Sequence, residues 1–353
     1  MLHYLKLLLW PFALLYGGIM ALRNWFYAKG ILASRRFKVP VIVVGNLTVG
    51  GTGKTPHVEY LIRLLHNYKL AVLSRGYKRK TRGFILADAQ STPAILGDEP
   101  FQYHRDFPEV TVAVAESRVE GISKMQEHVP ATQVFLLDDA FQHRAVQASF
   151  YILLTDYTRL FYKDFVLPAG LLREPKYGAK RADAVIVSKC PRSIEIAELK
   201  RIKANVLKYT SKDTPVYFST FGYGKPVAMS TQFQARKEII LLTGIANAAP
   251  LVTYLQGQGY SILQHLNYPD HHTYTLQNLT DLKQLLQQPA YRNASILTTR
   301  KDAVKMQDSA LASRTSQLPI GYIPVEVVFL DDAAGFDQQL LAHVQTFQAT
   351  ETV

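Results

Sequence analysis

The chain has 353 residues, of which 48% are hydrophobic, and this size and composition predict a globular protein of two domains. A single cysteine, Cys190, excludes a disulfide framework and favours a reducing compartment, the cytosol. The net charge of +12 is uneven: residues 1–82 hold 14 Lys or Arg and one acid, whereas the remainder holds 26 Lys or Arg and 27 acids. This asymmetry indicates a polyanionic partner, either a nucleic acid or an anionic membrane surface.

Residues 1–27 form the first predicted element, a helix rich in apolar and aromatic residues. Its uncharged run, residues 7–22, is 16 residues long, short of the roughly 20 that cross a bilayer. Aromatic residues with basic residues directly after them are typical of a helix lying in the headgroup region of an anionic membrane. A buried core helix and a removed signal peptide are the alternatives. Nucleic acid is disfavoured as the partner, because it offers nothing against which to bury the apolar run.

A strand and a glycine-rich loop follow, VPVIVVGNLTVGGTGKT over residues 39–55. Glycines let backbone N–H groups converge on phosphate oxygens, and the helix that begins next adds its positive dipole end. We expect Lys54 to contact the β- and γ-phosphates of a nucleoside triphosphate and the Thr55 hydroxyl to bind Mg²⁺. A turn that binds nothing is the alternative, and Thr48 stands where the strict P-loop pattern has glycine. The predicted nucleotide-binding residues are Thr48, Gly50, Gly51, Thr52, Gly53, Lys54 and Thr55.

Further along, apolar runs predict strands that alternate with helices, which is typical of a parallel sheet with right-handed crossovers. The predicted strands of this part are 70–73, 110–114, 134–137, 151–154 and 184–188. A polar stretch at 208–215 predicts a domain boundary, and beyond it we expect strands at 216–221, 238–243, 295–298 and 322–329 and helices at 247–258 and 276–287. The predicted fold class is therefore α/β: a P-loop NTPase-like parallel sheet flanked by helices (residues 28–212), a second, smaller α/β domain (213–353) and an N-terminal membrane-interface helix (1–27).

Two strand ends carry polar residues of interest. Asp138 and Asp139 follow the apolar run 134–137, where a P-loop enzyme has its Mg²⁺-supporting carboxylate. His143 comes four residues later, near enough to face the same site. The basic loop of residues 74–82 also follows a strand, at the sheet edge where α/β proteins bind ligands, and a solvated charge run is its alternative.

The second domain carries two adjacent histidines, His271 and His272, directly after Asp270. A metal site would need a third well-spaced ligand, which the sequence does not supply nearby. A role in proton transfer or substrate binding is therefore preferred.

These motifs together resemble the tetraacyldisaccharide 4′-kinase family. They are GNLTVGGTGKTP, SRGYKRK, GDEP, DDAFQH, LPAGLLREP, GIAN, DHH and TRKDAVKM, and they occur in the family's order over residues 40–306. Two positions depart from the family pattern, because Ala140 replaces a usual glycine and Arg300 stands where an acid is common. Ala140 should be tolerated provided that the backbone there does not need a positive φ.

The resemblance implies transfer of the ATP γ-phosphate to the 4′-hydroxyl of a tetraacylated glucosamine disaccharide 1-phosphate in lipid A biosynthesis. It implies Mg²⁺, a lipid A disaccharide precursor and an anionic membrane surface as partners, no nucleic acid, and the cytoplasmic face of the inner membrane as the location. Asp98 is then the general base, oriented by His271. The metal-binding residues are Thr55, Glu99, Asp138 and Asp139, and the substrate-binding residues are Ser74, Arg75, Tyr77, Arg118, His143, Arg173 and Glu174.

A P-loop GTPase or ATPase switch that binds a partner protein at the membrane is the alternative function. It would use Lys54, Thr55 and Asp138 but leave Asp98 and His271 without a role. Specificity for guanine normally needs an N-K-x-D element, which residues 188–191 resemble only distantly.

Overall fold

The computed structural model describes residues 2–270 and 272–351, so His271 lies outside the described residues. The helices are α1 (Leu2–Ala28), α2 (Lys54–Leu64), α3 (Pro93–Leu96), α4 (Asp98–Asp106), α5 (Arg118–His128), α6 (Ile196–Val206), α7 (Ala249–Gly257), α8 (Leu276–Gln287), α9 (Arg300–Met306), α10 (Ser309–Thr315) and α11 (Ala333–Glu351). The strands are β1 (Val41–Asn46), β2 (Leu70–Ser74), β3 (Ile85–Leu86), β4 (Thr111–Val114), β5 (Val134–Asp138), β6 (Phe150–Asp156), β7 (Ala184–Ser188), β8 (Val216–Tyr223), β9 (Val227–Ala228), β10 (Glu238–Thr243), β11 (Ser261–Asn267), β12 (Ser295–Thr299), β13 (Ile320–Ile323) and β14 (Val325–Phe329).

The larger sheet has nine strands in the order β14-β8-β7-β6-β1-β5-β2-β4-β3. Its seven inner strands are parallel, and the edge strands β14 and β3 pair antiparallel. Helices cover both faces, with α2 and α11 on one and α5 and α6 on the other. Alternate residues of β1 therefore enter opposite cores, which explains why its sequence is apolar throughout. The expected α/β class with a helix-flanked parallel sheet is confirmed.

The smaller sheet has five strands in the order β11-β10-β12-β13-β9. Only β9 is antiparallel, and α7 and α8 cover opposite faces. The chain passes from the larger to the smaller sheet after β8 and returns before β14. Gly224 N donates to the Pro324 carbonyl at 3.0 Å, which joins the two connecting segments. We call the part built on the larger sheet the large lobe and the part built on the smaller sheet the small lobe.

The lobes do not follow the expected boundary at residues 212 and 213. Strand β8 and, after the small lobe, β14 and α11 all belong to the large lobe. The polar stretch 208–215 is only the connection between α6 and β8. The single strand expected at 322–329 is wrong for a related reason: Pro324 has no N–H to continue a ladder, so the chain leaves one sheet and enters the other there.

Helix α1 lies against the large lobe with Ala13 buried and Gly17 in close contact with Val166. Its other side is exposed and apolar. The exposed large side chains on it are Trp10, Phe12, Leu14, Leu15, Ile19, Leu22 and Trp25. Across the described ranges, 2–270 and 272–351, a helix long and apolar enough to cross a membrane is not found.

Candidate active site

The glycine-rich loop follows β1 and ends at the first residue of α2, as a phosphate-binding loop requires. Gly50 and Gly53 have φ values of +110° and +80°, a conformation that other residues adopt only with strain. At Gly53 an added Cβ would also overlap the Phe221 ring. The side chains of Thr48 and Thr52 are buried, and Thr52 Oγ1 accepts a hydrogen bond from Asn46 at 2.9 Å. These two side chains therefore pack into the protein, whereas Gly50 and Gly51 of the same loop are exposed.

His57, which the sequence analysis did not single out, fixes the loop to β8. Its Nδ1 lies 2.7 Å from the Gly53 carbonyl and its Nε2 lies 3.1 Å from Ser219 Oγ. Because a carbonyl only accepts, Nδ1 carries the proton and Nε2 accepts from the serine. Burial lowers the pKa of His57 to about 4, so the ring is neutral near pH 7.

The acids after β5 lie at the same sheet edge as Lys54. Lys54 Nζ is 3.6 Å from Asp139 Oδ1, and Arg173 Nη1 donates to this oxygen at 2.9 Å. Burial alone would raise the pKa of Asp139, but the two cations hold it below its ordinary value. Asp139 also takes the positive φ of this turn, +46°, and Ala140 does not. The condition under which Ala140 is tolerated is therefore met.

Asp138 has the opposite electrostatic environment. Burial, and then the neighbouring Asp139, raise the pKa of Asp138 to about 7, and Glu99 acts in the same direction. Its Oδ1 is buried without a hydrogen-bond partner. A carboxylate oxygen that lacks a hydrogen-bond partner and lies among like charges fits Mg²⁺, which takes one or two carboxylates and otherwise water and phosphate. Among the described residues, no group of three or more His, Cys, Asp or Glu could hold a metal ion. Water and phosphate oxygens would therefore have to complete a Mg²⁺ site at Asp138.

Tyr103 is a second residue that sequence analysis missed. It is fully buried on α4, and its Oη lies 3.4 Å from Asp138 Oδ2. Burial raises the pKa of Tyr103 well above its ordinary value. Ser74 is also buried, and its hydroxyl is 3.4 Å from the same Asp138 oxygen. Ser74, which was predicted to bind substrate, therefore faces Asp138.

Four cationic or polar side chains gather beside the acids. The Arg118 guanidinium is buried and donates to the carbonyls of Ala115 and Asp138 at 2.6 and 3.3 Å. Burial lowers the pKa of Arg118 to about 10, which leaves it charged at pH 7. Burial, then Arg118 and Arg75, lower the pKa of His143 to about 4, so His143 is neutral and lies within the field of both arginines. We call Arg75, Arg118, His143 and Arg23 of α1, which also acts on His143, the basic pocket.

The remaining predicted residues are divided. Tyr77 is 64% exposed beside this pocket and can contact a ligand. Arg173 binds Asp139, as described above. Glu174 was predicted to bind substrate, and this is wrong, because it is fully buried and its two oxygens are taken by Arg181, Asn24 and Gln142.

Asp98 and Glu99 form the first turn of α4 and are half-buried. Gly97 before them has a φ of +89°, and a Cβ there would lie 3.0 Å from the Tyr77 carbonyl, so this turn packs against the basic loop. The other half of the predicted pair, His271, lies outside the described residues. Its neighbour His272 stacks on Tyr268 with ring centroids 4.2 Å apart.

A P-loop beside paired strand-end acids and a basic pocket defines an ATP-dependent phosphotransferase of the P-loop class. The family model of tetraacyldisaccharide-1-P 4′-kinases (LpxK) matches residues 5–345, and the chain belongs to this family. It is 43% identical to tetraacyldisaccharide 4′-kinases of Flavobacterium psychrophilum and Flavobacterium johnsoniae, over 98% and 97% of this chain and 98% of each relative. It is also similar to the crystal structure of LpxK from Aquifex aeolicus in complex with ATP, with a TM-score of 0.74, 28% identity and coverage of 96% of this chain and 99% of that one.

Proposed function

We propose that this chain transfers the γ-phosphate of ATP to the 4′-hydroxyl of a tetraacylated glucosamine disaccharide 1-phosphate, a step in lipid A biosynthesis. The observation that carries the proposal is that Lys54 and Arg173 both pair with one oxygen of Asp139, while Oδ1 of the adjacent Asp138 has no hydrogen-bond partner. Phosphoryl transfer needs positioning and charge neutralisation more than covalent chemistry, and this arrangement supplies both.

The donor phosphates are held by the backbone of residues 50–53 and by Lys54. The positive φ at Gly50 and Gly53 turns the loop around an anion, and the α2 dipole adds to the attraction. These contacts hold the triphosphate without contacting the nucleobase. Lys54 pairs with Asp139 in the free protein and would pair with the phosphates when the nucleotide binds.

Asp138, Asp139, Thr55 and Glu99 are the residues that would hold Mg²⁺. Bound there, the ion neutralises negative charge on the β- and γ-phosphates. Asp138 must lose its proton to serve as a ligand, and its pKa of about 7 shows how strongly the free site disfavours that charge. Tyr103 and Ser74 keep the Asp138 carboxylate oriented through its second oxygen.

Asp98 is the proposed general base, and His271 is proposed to orient it. Asp98 lies in the first turn of α4, a helix that packs on the small lobe through Arg300. A carboxylate is a weak base toward an alcohol, so it acts late in the transfer, when the proton becomes acidic. In the sequence His271 stands between β11 and α8, two elements of the small lobe, so we propose that closure of the lobes completes the pair.

The basic pocket is proposed to bind the phosphate that the acceptor already carries. Arg75 is exposed, whereas Arg118 is buried and held by two backbone carbonyls, so the pocket combines one cation open to solvent with one fixed cation. A neutral His143 adds a hydrogen-bond donor without a further charge. Arginine is suited to this role because its guanidinium binds phosphate oxygens in a bidentate manner.

An acylated acceptor stays in the membrane, and α1 is proposed to bring the enzyme to it. The exposed apolar side of α1 can enter the acyl region while Lys29, Arg35 and Arg36 meet anionic headgroups. ATP supply and the unpaired Cys190 favour the cytoplasmic face of the inner membrane. Duplex DNA is the competing polyanion.

Vesicle sedimentation tests whether the polyanionic partner is an anionic membrane surface. We expect the chain to sediment with vesicles of anionic phospholipid and to bind duplex DNA at least tenfold more weakly at equal salt. The Leu15→Ser/Ile19→Ser variant should stay in the supernatant. Preferential DNA binding, or unchanged sedimentation of this variant, would contradict the membrane proposal.

The reaction is tested with γ-labelled ATP and a disaccharide 1-phosphate lipid in detergent micelles. We expect label in the lipid with the wild-type chain and none with Lys54→Ala. Label released only as inorganic phosphate, at a rate independent of the acceptor, would favour the alternative NTPase switch.

A further inference from the structure

The inner side of α1 is more polar than a membrane-binding helix requires. It carries Tyr16, Arg23 and Asn24, and all three donate hydrogen bonds to the large lobe. We propose that Tyr16 and Asn24 are positioning residues for phosphoryl transfer: they hold the segment Arg173–Glu174 and, through it, the Asp139 carboxylate. This inference rests on the proposed function and adds to it a role for α1 beyond membrane binding.

Helix α1 contacts this segment directly. Tyr16 Oη donates to the Arg173 carbonyl at 2.8 Å, and Asn24 Nδ2 donates to Glu174 Oε2 at 2.7 Å. In the other direction, Arg144 Nη1 donates to the Asn24 carbonyl at 2.6 Å. These bonds join α1 to the loop after β5, which carries Asp139, and to the segment after β6 that contains Arg173 and Glu174.

The segment in turn contacts the catalytic acids. Tyr16 fixes the backbone of Arg173, and the side chain of Arg173 donates to Asp139 Oδ1 at 2.9 Å. Lys54 Nζ approaches the same oxygen. A displacement of Arg173 therefore changes the balance of cations around Asp139. Phosphoryl transfer depends on positioning, and a misplacement of about 1 Å is enough to slow such a reaction.

Glu174 also depends on α1, because a buried carboxylate needs all of its hydrogen bonds. Its oxygens accept from Asn24, from both Nη atoms of Arg181 and, at 2.9 Å, from Gln142 Nε2. The same Gln142 nitrogen donates to the Asn46 carbonyl at 2.9 Å, at the end of β1 just before the P-loop. Loss of the Asn24 amide thus disturbs a network that ends at the nucleotide site.

A helix that served only as an anchor would behave differently. Its outer, apolar side would decide vesicle binding, and changes on its inner side would not affect turnover in micelles. Tyr16 and Asn24 lie on the inner side, with the exposed Leu15 and Ile19 opposite. The two roles of α1 can therefore be separated by substitution.

The test compares Tyr16→Phe and Asn24→Leu in the full chain with two matched controls. Tyr217→Phe removes one comparable hydroxyl bond, 3.0 Å to Gln339. Asn205→Leu removes two exposed side-chain hydrogen bonds, one to the Arg201 carbonyl and one from Lys208. We expect kcat in micelles to fall about tenfold in both α1 variants, with the KM for ATP within about twofold of wild type. Vesicle sedimentation should stay unchanged, and the controls should keep wild-type kcat.

Hydrogen exchange supplies a readout that does not depend on turnover. In Asn24→Leu the amides of residues 139–144 and 172–175 should exchange faster, whereas the strands of the small lobe should not change. Asn24→Gln, which keeps an amide donor, should recover part of kcat.

Wild-type kcat in both α1 variants, or unchanged exchange in these two segments, would overturn the inference. So would a parallel loss of kcat and vesicle binding, since that is the behaviour of an anchor. If Asn24→Leu does not fold, Tyr16→Phe, which removes a single oxygen, decides. If the wild-type chain transfers no phosphate to the lipid, the proposed function fails, and the exchange experiment tests the coupling separately.

Discussion

Arg300 and Asp106 form a bidentate ion pair between the lobes. Arg300 Nε donates to Asp106 Oδ2 at 2.6 Å, Nη2 pairs with Oδ1, and the guanidinium lies 4.6 Å from the centroid of the Tyr322 ring. Asp106 ends α4, which begins with Asp98, and Arg300 begins α9 of the small lobe. The pair therefore links the helix of the proposed base to the small lobe. It also gives a structural role to Arg300, the position at which the family commonly has an acid.

Reversing one charge of this pair should weaken closure. We expect Arg300→Glu and Asp106→Arg each to lower kcat/KM about tenfold or more, because each places like charges together in a partly buried cleft. The double variant should recover most of the loss, which a double-mutant cycle measures. Arg292→Glu, an exposed arginine of the small lobe, is the control. Additive losses in the double variant would show that the two residues do not act as a pair.

Removal of the proposed base should affect turnover more than binding. Asp98→Ala is expected to lower kcat by about 10²–10⁴ with little change in the KM for ATP. If His271 acts through Asp98, the Asp98→Ala/His271→Ala variant should lose far less than the product of the single effects. Steady-state kinetics on the four proteins check this, and strictly multiplicative losses would exclude the pair.

The P-loop lysine should be indispensable. Lys54→Ala is expected to lower kcat by about 10³ or more, because no other cation of the loop reaches the β/γ-phosphate position. Lys69→Ala, an exposed lysine before β2, is the matched control and should be neutral. Circular dichroism should show that both variants are folded. Near-normal turnover in Lys54→Ala would remove the phosphate-binding assignment.

Glu59 should make stability depend on pH. It is buried on α2, accepts from Gln102 Nε2 at 2.5 Å, and burial raises its pKa from 4.5 to about 7. Because the folded pKa lies above the unfolded one, the folded chain binds this proton more tightly, and the free energy of unfolding falls as pH rises from about 4 to about 7. In Glu59→Gln the free energy of unfolding should fall by about 1–3 kcal/mol less than in wild type over this pH range.

Urea unfolding at pH 5 and pH 8 measures this difference. Glu127→Gln, which changes an exposed glutamate of α5, should leave the decline as in wild type. An equal decline in Glu59→Gln and wild type would mean that Glu59 is already ionised in the folded chain at pH 5.

Local patterns predicted which residues meet at one edge of the large sheet. Lys54, Thr55, Asp138 and Asp139 come directly after apolar runs, and parallel strands bring their carboxyl ends to one edge, so the sequence alone places these residues together. Most inner strands were also predicted near their observed ends. The P-loop departure at Thr48 was harmless, because its side chain lies beneath the loop.

Contacts between residues far apart in the sequence could not be predicted from local patterns. The return of β14 to the large sheet depends on Pro324 and on a pairing with β8 about 100 residues earlier. Tyr103 reaches Asp138 only through the packing of α4 on the large sheet, beside β2 and β4, and nothing in its local sequence marks it. Glu174 seemed available to a substrate because its partners, Arg181 and Asn24, meet it only in the folded chain.

The position of the transferred phosphate on the lipid tests whether the 4′-hydroxyl is the acceptor. After reaction of ATP with the tetraacylated disaccharide 1-phosphate in micelles, ³¹P–¹H correlation spectra of the purified lipid identify the phosphorylated carbon. The account predicts a new phosphomonoester on the 4′-oxygen that is absent with Lys54→Ala. A phosphate on any other oxygen, including a pyrophosphate at the 1-position, or unmodified lipid alongside ADP, would contradict it.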